Sequence, residues 1–181
     1  MFENLISFQG KHAHYMKKLT DMDIGDNNKI SVFDRNLDVY LTAPIIGYIN
    51  DRRESEEIGE YKNVTAKISV EQLIKEGRNL DVIFRTIMLL DEHRGIDEEV
   101  QIRRAFRDDS NKEINDNHKE NMELFNSYAR GGISILYEAL IDNAAVKDDY
   151  LKNISTYVKQ FNNEIIEGIT DEELEFEIGY K

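Results

Sequence analysis

The chain has 181 residues, 40% of them hydrophobic and 33% charged, with 8 Phe, 9 Tyr and a formal net charge of −13. That length and apolar content suit one folded domain with a core of its own, not a disordered chain. The absence of cysteine excludes disulfides, thiolate metal sites and cysteine nucleophiles, and the acidic balance argues against direct binding to a nucleic-acid backbone, which needs clustered Lys and Arg.

The N-terminus opens without a basic start or long apolar run, so no secretory leader is expected and the chain is expected to be cytoplasmic. No apolar stretch approaches the roughly 18 residues of a membrane span. A helix is predicted around Lys11 to Leu19. A second, from Asp34 to Ile49, places Leu37, Tyr40, Leu41, Pro44, Ile45 and Tyr48 on one side. Pro44 is the one proline of the chain. It removes a backbone donor and predicts a kinked helix or two short ones, with Gly47 easing the bend. Val64, Ala66 and Ile68 alternate with polar residues, the period of a strand.

From Ser69 to His93 the stripe Val70, Leu73, Ile74, Gly77, Leu80, Phe84, Ile87 and Met88 predicts a long amphipathic helix. Ser69 and Gln72 form a capping box at its start, and Val82, Ile83, Leu89 and Leu90 widen the stripe, so its second half is expected in the core. Asp97 can cap a short helix ending near Arg107. Met122, Phe125, Tyr128, Gly132, Ile135, Leu136, Ala139 and Leu140 predict a helix from about Lys119 to Ile141. Tyr150, Ile154, Tyr157, Val158, Phe161 and Ile165 predict another from about Val146 to Glu167. At the C-terminus Leu174, Phe176, Ile178 and Tyr180 alternate with acids. The fold class is mainly α, with five or six helices in one orthogonal or bundle-like domain spanning 1–181. A small two-stranded element would pair 64–68 with 174–180, and 170–181 would otherwise form an extended tail.

Few residues suggest chemistry. His12 and His14 lie two apart, so on a helix they face different sides and cannot share a metal. His93 sits among carboxylates at Asp91, Glu92 and Asp97 and could be a tuned base; a last-turn histidine beside the next helix cap is the stronger account of it. The acidic segments 21–28 and 108–113 lack the Gly and Glu spacing of a calcium loop. Arg103, Arg104 and Arg107 form the one tight arginine cluster, suited to a phosphate or to a partner's carboxylates, with Glu99 and Asp108 as internal alternatives. Arg130-Gly131-Gly132 interrupts a strong helix, and two interior glycines cost about 1 kcal/mol each unless another helix packs closely there. No glycine-rich phosphate loop, G-x-S-x-G elbow or HExxH helix occurs, so no catalytic residue, cofactor or metal is assigned.

The segments Asp38–Tyr48 and Glu120–Gly132 resemble small acidic accessory proteins encoded beside bacterial DNA-modification or phage-defence genes. The resemblance covers about a third of the chain and contains no catalytic motif, so it carries over no functional residues. It implies a non-catalytic subunit working with a larger ATPase, nuclease or modification enzyme. The expected function is therefore an accessory or regulatory protein-interaction module with a larger protein partner, self-association being left open. The alternatives are a small hydrolase-type enzyme using His93 and nearby carboxylates, and an acidic DNA mimic.

Overall fold

The computed structural model describes residues 2, 4–23, 29–91, 95–108 and 116–168. Among them the chain is mainly helical: β1 (Ile6–Gln9), α1 (Gly10–Thr20), β2 (Met22–Asp23), β3 (Lys29–Ile30), α2 (Asn36–Ile49), a 3₁₀ turn (Gly59–Tyr61), β4 (Thr65–Ile68), α3 (Val70–Lys75), α4 (Gly77–Leu90), α5 (Glu98–Phe106), α6 (Asp116–Leu140) and α7 (Lys147–Gly168). The chain divides into two compact units, 1–137 and 138–181.

In the first unit the strand predicted at 64–68 is present as β4, and among the described residues its partner is β1. β1 and β4 run antiparallel, with Ile6 opposite Ile68 and Phe8 opposite Ala66. Residues 174–180 lie outside the described residues. Phe8, Ala66 and Ile68 are buried, so this small sheet presents one apolar face to the helices. The reason for the pairing is that four residues of alternating pattern accept any complementary edge, and the segment leading into α1 supplies one. β2 and β3 pair as a second two-stranded ladder.

An aromatic cluster holds the core together. Phe125 of α6 lies 5.7 Å from Tyr40 of α2, 5.6 Å from Phe84 of α4 and 5.8 Å from Phe2, ring centre to ring centre. Phe8 of β1 meets Tyr40 at 5.7 Å. Edge-on and tilted contacts of this kind add about 0.5–1.5 kcal/mol each beyond the area they bury.

The Ser69–Gln72 capping box forms as predicted, with Ser69 Oγ accepting from the Gln72 N–H and the Gln72 side chain accepting from the Ser69 N–H. The single helix expected from Ser69 to His93 is instead two, α3 and α4, broken at Glu76 and Gly77. Leu73, Leu80, Phe84, Ile87 and Met88 are buried as their spacing requires, whereas Val82 and Leu90 are 60% and 51% exposed. The expectation that they widen the buried stripe is corrected: α4 buries one face only. Asp97 stands at the N-cap position of α5 as expected, but its side chain makes no capping hydrogen bond there.

α2 is one continuous helix through the buried Pro44. Its close neighbour is α6, and glycine sets the approach. A Cβ on Gly132 would overlap Ala43 O, and one on Gly47 would overlap Tyr128 O. Gly131 lies equally close to Arg52 O. The helix-weakening glycines of Arg130-Gly131-Gly132 thus permit backbone contact, which side chains would forbid. The two segments that carry the resemblance, 38–48 and 120–132, are the two sides of this contact.

In the second unit, residues 141–146 connect the end of α6 to α7. Tyr150 is buried and its OH donates to Ala144 O at 2.9 Å. Asp149 accepts from the N–H groups of Ala145 and Val146, both at 3.0 Å, which closes the first turn of α7 and holds its carboxyl below the usual range.

Candidate functional site

The densest polar constellation is built by a segment with no helical or strand pattern. After α2, Arg52 N–H donates to Gly47 O at 2.8 Å, and residues 52–58 form a strap with neither helix nor strand that bonds to both α6 and α1. Glu54 N–H donates to Ser127 O at 3.0 Å, and Lys11 N–H donates to Glu57 O at 2.9 Å. Gly10, with φ of 64°, lies so close to Glu57 and Ile58 that a Cβ would overlap the strap backbone.

This strap delivers the Glu54 carboxylate into a ring of donors. Oε2 faces His12 Nε2 at 2.9 Å, Lys11 Nζ at 3.0 Å and Ser134 Oγ at 3.0 Å; Oε1 accepts from Arg52 Nε at 2.8 Å. Glu54 O accepts from Arg130 Nε at 2.6 Å. Burial alone would raise the pKa of Glu54, but the hydrogen bonds from His12, Lys11 and Ser134 and the Lys11 charge outweigh it. Its carboxyl is held well below the usual carboxylate range. For Lys11 burial would lower the pKa, and the bonds to Glu54 and Glu57 raise it instead.

Because Glu54 is ionised, His12 Nε2 carries the proton and donates. His12 is fully buried, and its Nδ1 has no hydrogen-bond partner. Ser134 donates to Glu54 and not to the imidazole, so the trio is no serine-nucleophile relay, which needs the base on the hydroxyl. Its direct effect is to lock α1, the strap and α6 together.

A cleft of about 200 Å³ opens beside this hub, lined by β1, His12, Glu56, Glu123, Asn126 and Arg130. Arg130 is buried, with Nε on Glu54 O and Nη2 paired with Glu123. Asn126 Oδ1 accepts from Tyr40 OH at 2.8 Å; burial of Tyr40 raises its phenol above the ordinary range. Glu56 and Glu123 are exposed at the rim.

The residues singled out from the sequence fall elsewhere. His12 and His14 lie on different sides of α1: His14 stacks on Tyr61 at 4.3 Å between ring centres. Among the described residues no group of three or more His, Asp or Glu side chains could hold a metal ion. Arg103 and Arg104 occupy the last turn of α5 and Arg107 is its C-cap residue. Arg103 Nε lies 3.7 Å from the buried Asp108, whose backbone N–H also closes on Arg103 O. His93, the C-terminal tail and most of the two acidic loops (24–28 and 109–113) lie outside the described residues. Asp91, the described neighbour of His93, is buried and accepts from Tyr128 OH at 2.9 Å.

The sequence held little that pointed to Glu54, which sits in a polar stretch with no period. A weaker signal existed on α6, where Arg130 and Ser134 place polar groups one turn apart inside an apolar stripe. A buried polar residue of that kind requires partners from elsewhere in the fold. No family model, curated protein or solved structure matches the chain.

Proposed function

We propose that this chain is a non-catalytic accessory module of the bacterial cytoplasm that docks a larger protein partner through helices α4 and α5. The observation that carries the reading is a set of large apolar side chains left at the surface. Val82 and Leu90 stand two turns apart on α4; Ile102 and Phe106 stand one turn apart on α5, and all are at least 41% exposed. Arg85 of α4 lies over the Phe106 ring at 5.2 Å, and Tyr48 OH of α2 donates to Leu90 O at 2.7 Å, beside the exposed Ile45 and Ile49. Apolar surface rimmed by polar groups is the usual mark of a docking face, with aromatic and Arg side chains as its strongest contacts. Arg103, Arg104 and Arg107 supply that rim. The net charge of −13 favours a partner with basic surface. The partner class follows from the resemblance: a DNA-modification or phage-defence enzyme.

The test is affinity capture from the host with mass spectrometry, run in parallel with the wild-type chain and Phe106→Asp. Recovery of one large enzyme in stoichiometric amount by wild type, and its loss with a variant of unchanged melting temperature, supports the reading. No stoichiometric partner, or equal recovery by both chains, overturns it.

A further inference from the structure

We propose that the free edge of β1 takes up an extended, basic segment of a partner protein as an added strand. The site shares no residue with the docking face above.

The inference starts from the phase of the small sheet. Gly10 N–H donates to Val64 O at 3.1 Å, which continues the β1–β4 ladder by one pair. In an antiparallel ladder the pairs that exchange bonds alternate with pairs that do not. Ile6 and Phe8 therefore turn their backbone groups toward β4, and Ser7 and Gln9 turn theirs away. The far side of β4 agrees: Lys67, opposite Ser7, directs its carbonyl outward, where Asn36 Nδ2 donates to it at 3.2 Å. That edge is covered. On the β1 edge, the N–H and C=O of Ser7 and the N–H of Gln9 bond to none of the described residues. The strand Ile-Ser-Phe-Gln carries neither the proline nor the charge that commonly protects an open edge.

This edge opens into a trough. The cleft of about 200 Å³ is lined by all four residues of β1 and by none of β4, which places it beside the free edge. A second cleft of about 250 Å³ shares Ile6 and continues past Leu5 and Phe2. One face of α6 walls both, with His118, Lys119 and Met122 on the second cleft and Glu123, Asn126 and Arg130 on the first. From 118 to 130 that wall is about 18 Å long at the rise of a helix, the length of about five residues of extended chain. Unpaired backbone donors and acceptors along such a trough are what strand addition uses.

Charge chooses the occupant. Glu56 and Glu123 stand exposed beside β1, whereas Leu5, 52% exposed, and Met122 give the other end an apolar lining. The cations of the trough are already committed, Lys119 to Asp116 and Arg130 to Glu123. Lysine or arginine side chains on an added strand therefore meet uncompensated carboxylate at the β1 end. The chain's own alternating segment, 174–180, carries Glu175 and Glu177 and is repelled there.

The experiment titrates the acetylated, amidated pentapeptide VKVKV into the ¹⁵N-labelled full chain at low salt and follows the backbone amides of Ser7 and Gln9. Its sequence reads the same in both directions, so strand polarity does not enter. A saturable downfield shift of both amides, with slowed hydrogen exchange, is expected. VEVEV, and VKVKV with N-methylated amides, are expected to bind at least tenfold more weakly. Ser7→Pro deletes a donor that β4 does not use, so it is expected to keep the melting temperature and abolish the shift at Gln9. Glu56→Lys, at an exposed site, is expected to weaken VKVKV and strengthen VEVEV several-fold. No saturable change at the two amides, equal binding of the N-methylated peptide, or an affinity untouched by Glu56→Lys overturns the proposal. So does protection of both amides from exchange in the free chain, which would put residues 174–180 or a second copy on the edge.

Discussion

Replacing Glu54 by glutamine keeps the shape of the side chain and removes the charge on which four side chains converge. His12 and Ser134 are buried, and hydrogen bonds of buried groups to a charged partner are worth about 1.5–3 kcal/mol each. Lys11 and Arg52 are partly exposed, and such pairs contribute about 0.2–1 kcal/mol each. An amide keeps one accepting oxygen and turns its N–H₂ toward the remaining donors, so roughly half of this is lost. The expected cost is about 3 kcal/mol, a large share of the ~5–15 kcal/mol that holds a domain together. Urea unfolding at neutral pH measures it. The pH dependence gives an independent reading, because Glu54 is held below its ordinary value of 4.5. Its contribution is complete above that value and is lost as pH falls through the lower folded pKa. Wild type therefore loses this stabilisation in acid, whereas Glu54→Gln has a shallower acid limb. A difference under about 0.5 kcal/mol at neutral pH, the range of an unremarkable surface change, or an identical acid limb, would refute the hub.

Two further outcomes test the packing. Gly132→Ala drives a methyl group into Ala43 O of α2, and overpacking of this kind costs about 1–3 kcal/mol even though alanine is the better helix former. Gly77→Ala, at the start of α4 with nothing near the added Cβ, is expected to be neutral or stabilising by up to about 1 kcal/mol; thermal melts of the pair give opposite signs. Tyr128→Phe removes the donor to the buried Asp91 carboxylate and is expected to cost about 1–3 kcal/mol. In wild type, burial and the bond to Asp91 raise the Tyr128 phenol above the ordinary range, so ultraviolet titration of the native proteins should find the same number of tyrosines ionising near pH 10 in wild type and Tyr128→Phe.

Much of the helical framework was legible because its signals are local. The Ser69–Gln72 box forms where it was read, α6 and α7 begin and end within a few residues of their apolar stripes, and the Arg130-Gly131-Gly132 interruption marks a close helix contact. The break at Glu76 and Gly77 was less legible, since the stripe runs across it in register. Val82 and Leu90 misled for a related reason: apolar type says that a side chain can be buried, and only the neighbouring helices decide which side of α4 they cover.

Glu54 and the cleft beside it lay beyond that kind of reading. His12, Glu54 and the Arg130–Ser134 pair are separated by tens of residues, and no period links the three; they meet because the strap after α2 crosses both α1 and α6. The partner of the strand at 65–68 was hidden likewise, since β1 is only four residues long and pairing is a contact between distant segments. By itself the sequence determined where helices can form, where they are capped and where backbones must approach, because each depends on residues within a turn or two. Only the tertiary structure decided which strand pairs with which, which apolar faces stay in solvent and which polar groups converge on one carboxylate, because those depend on burial, a property of the whole chain.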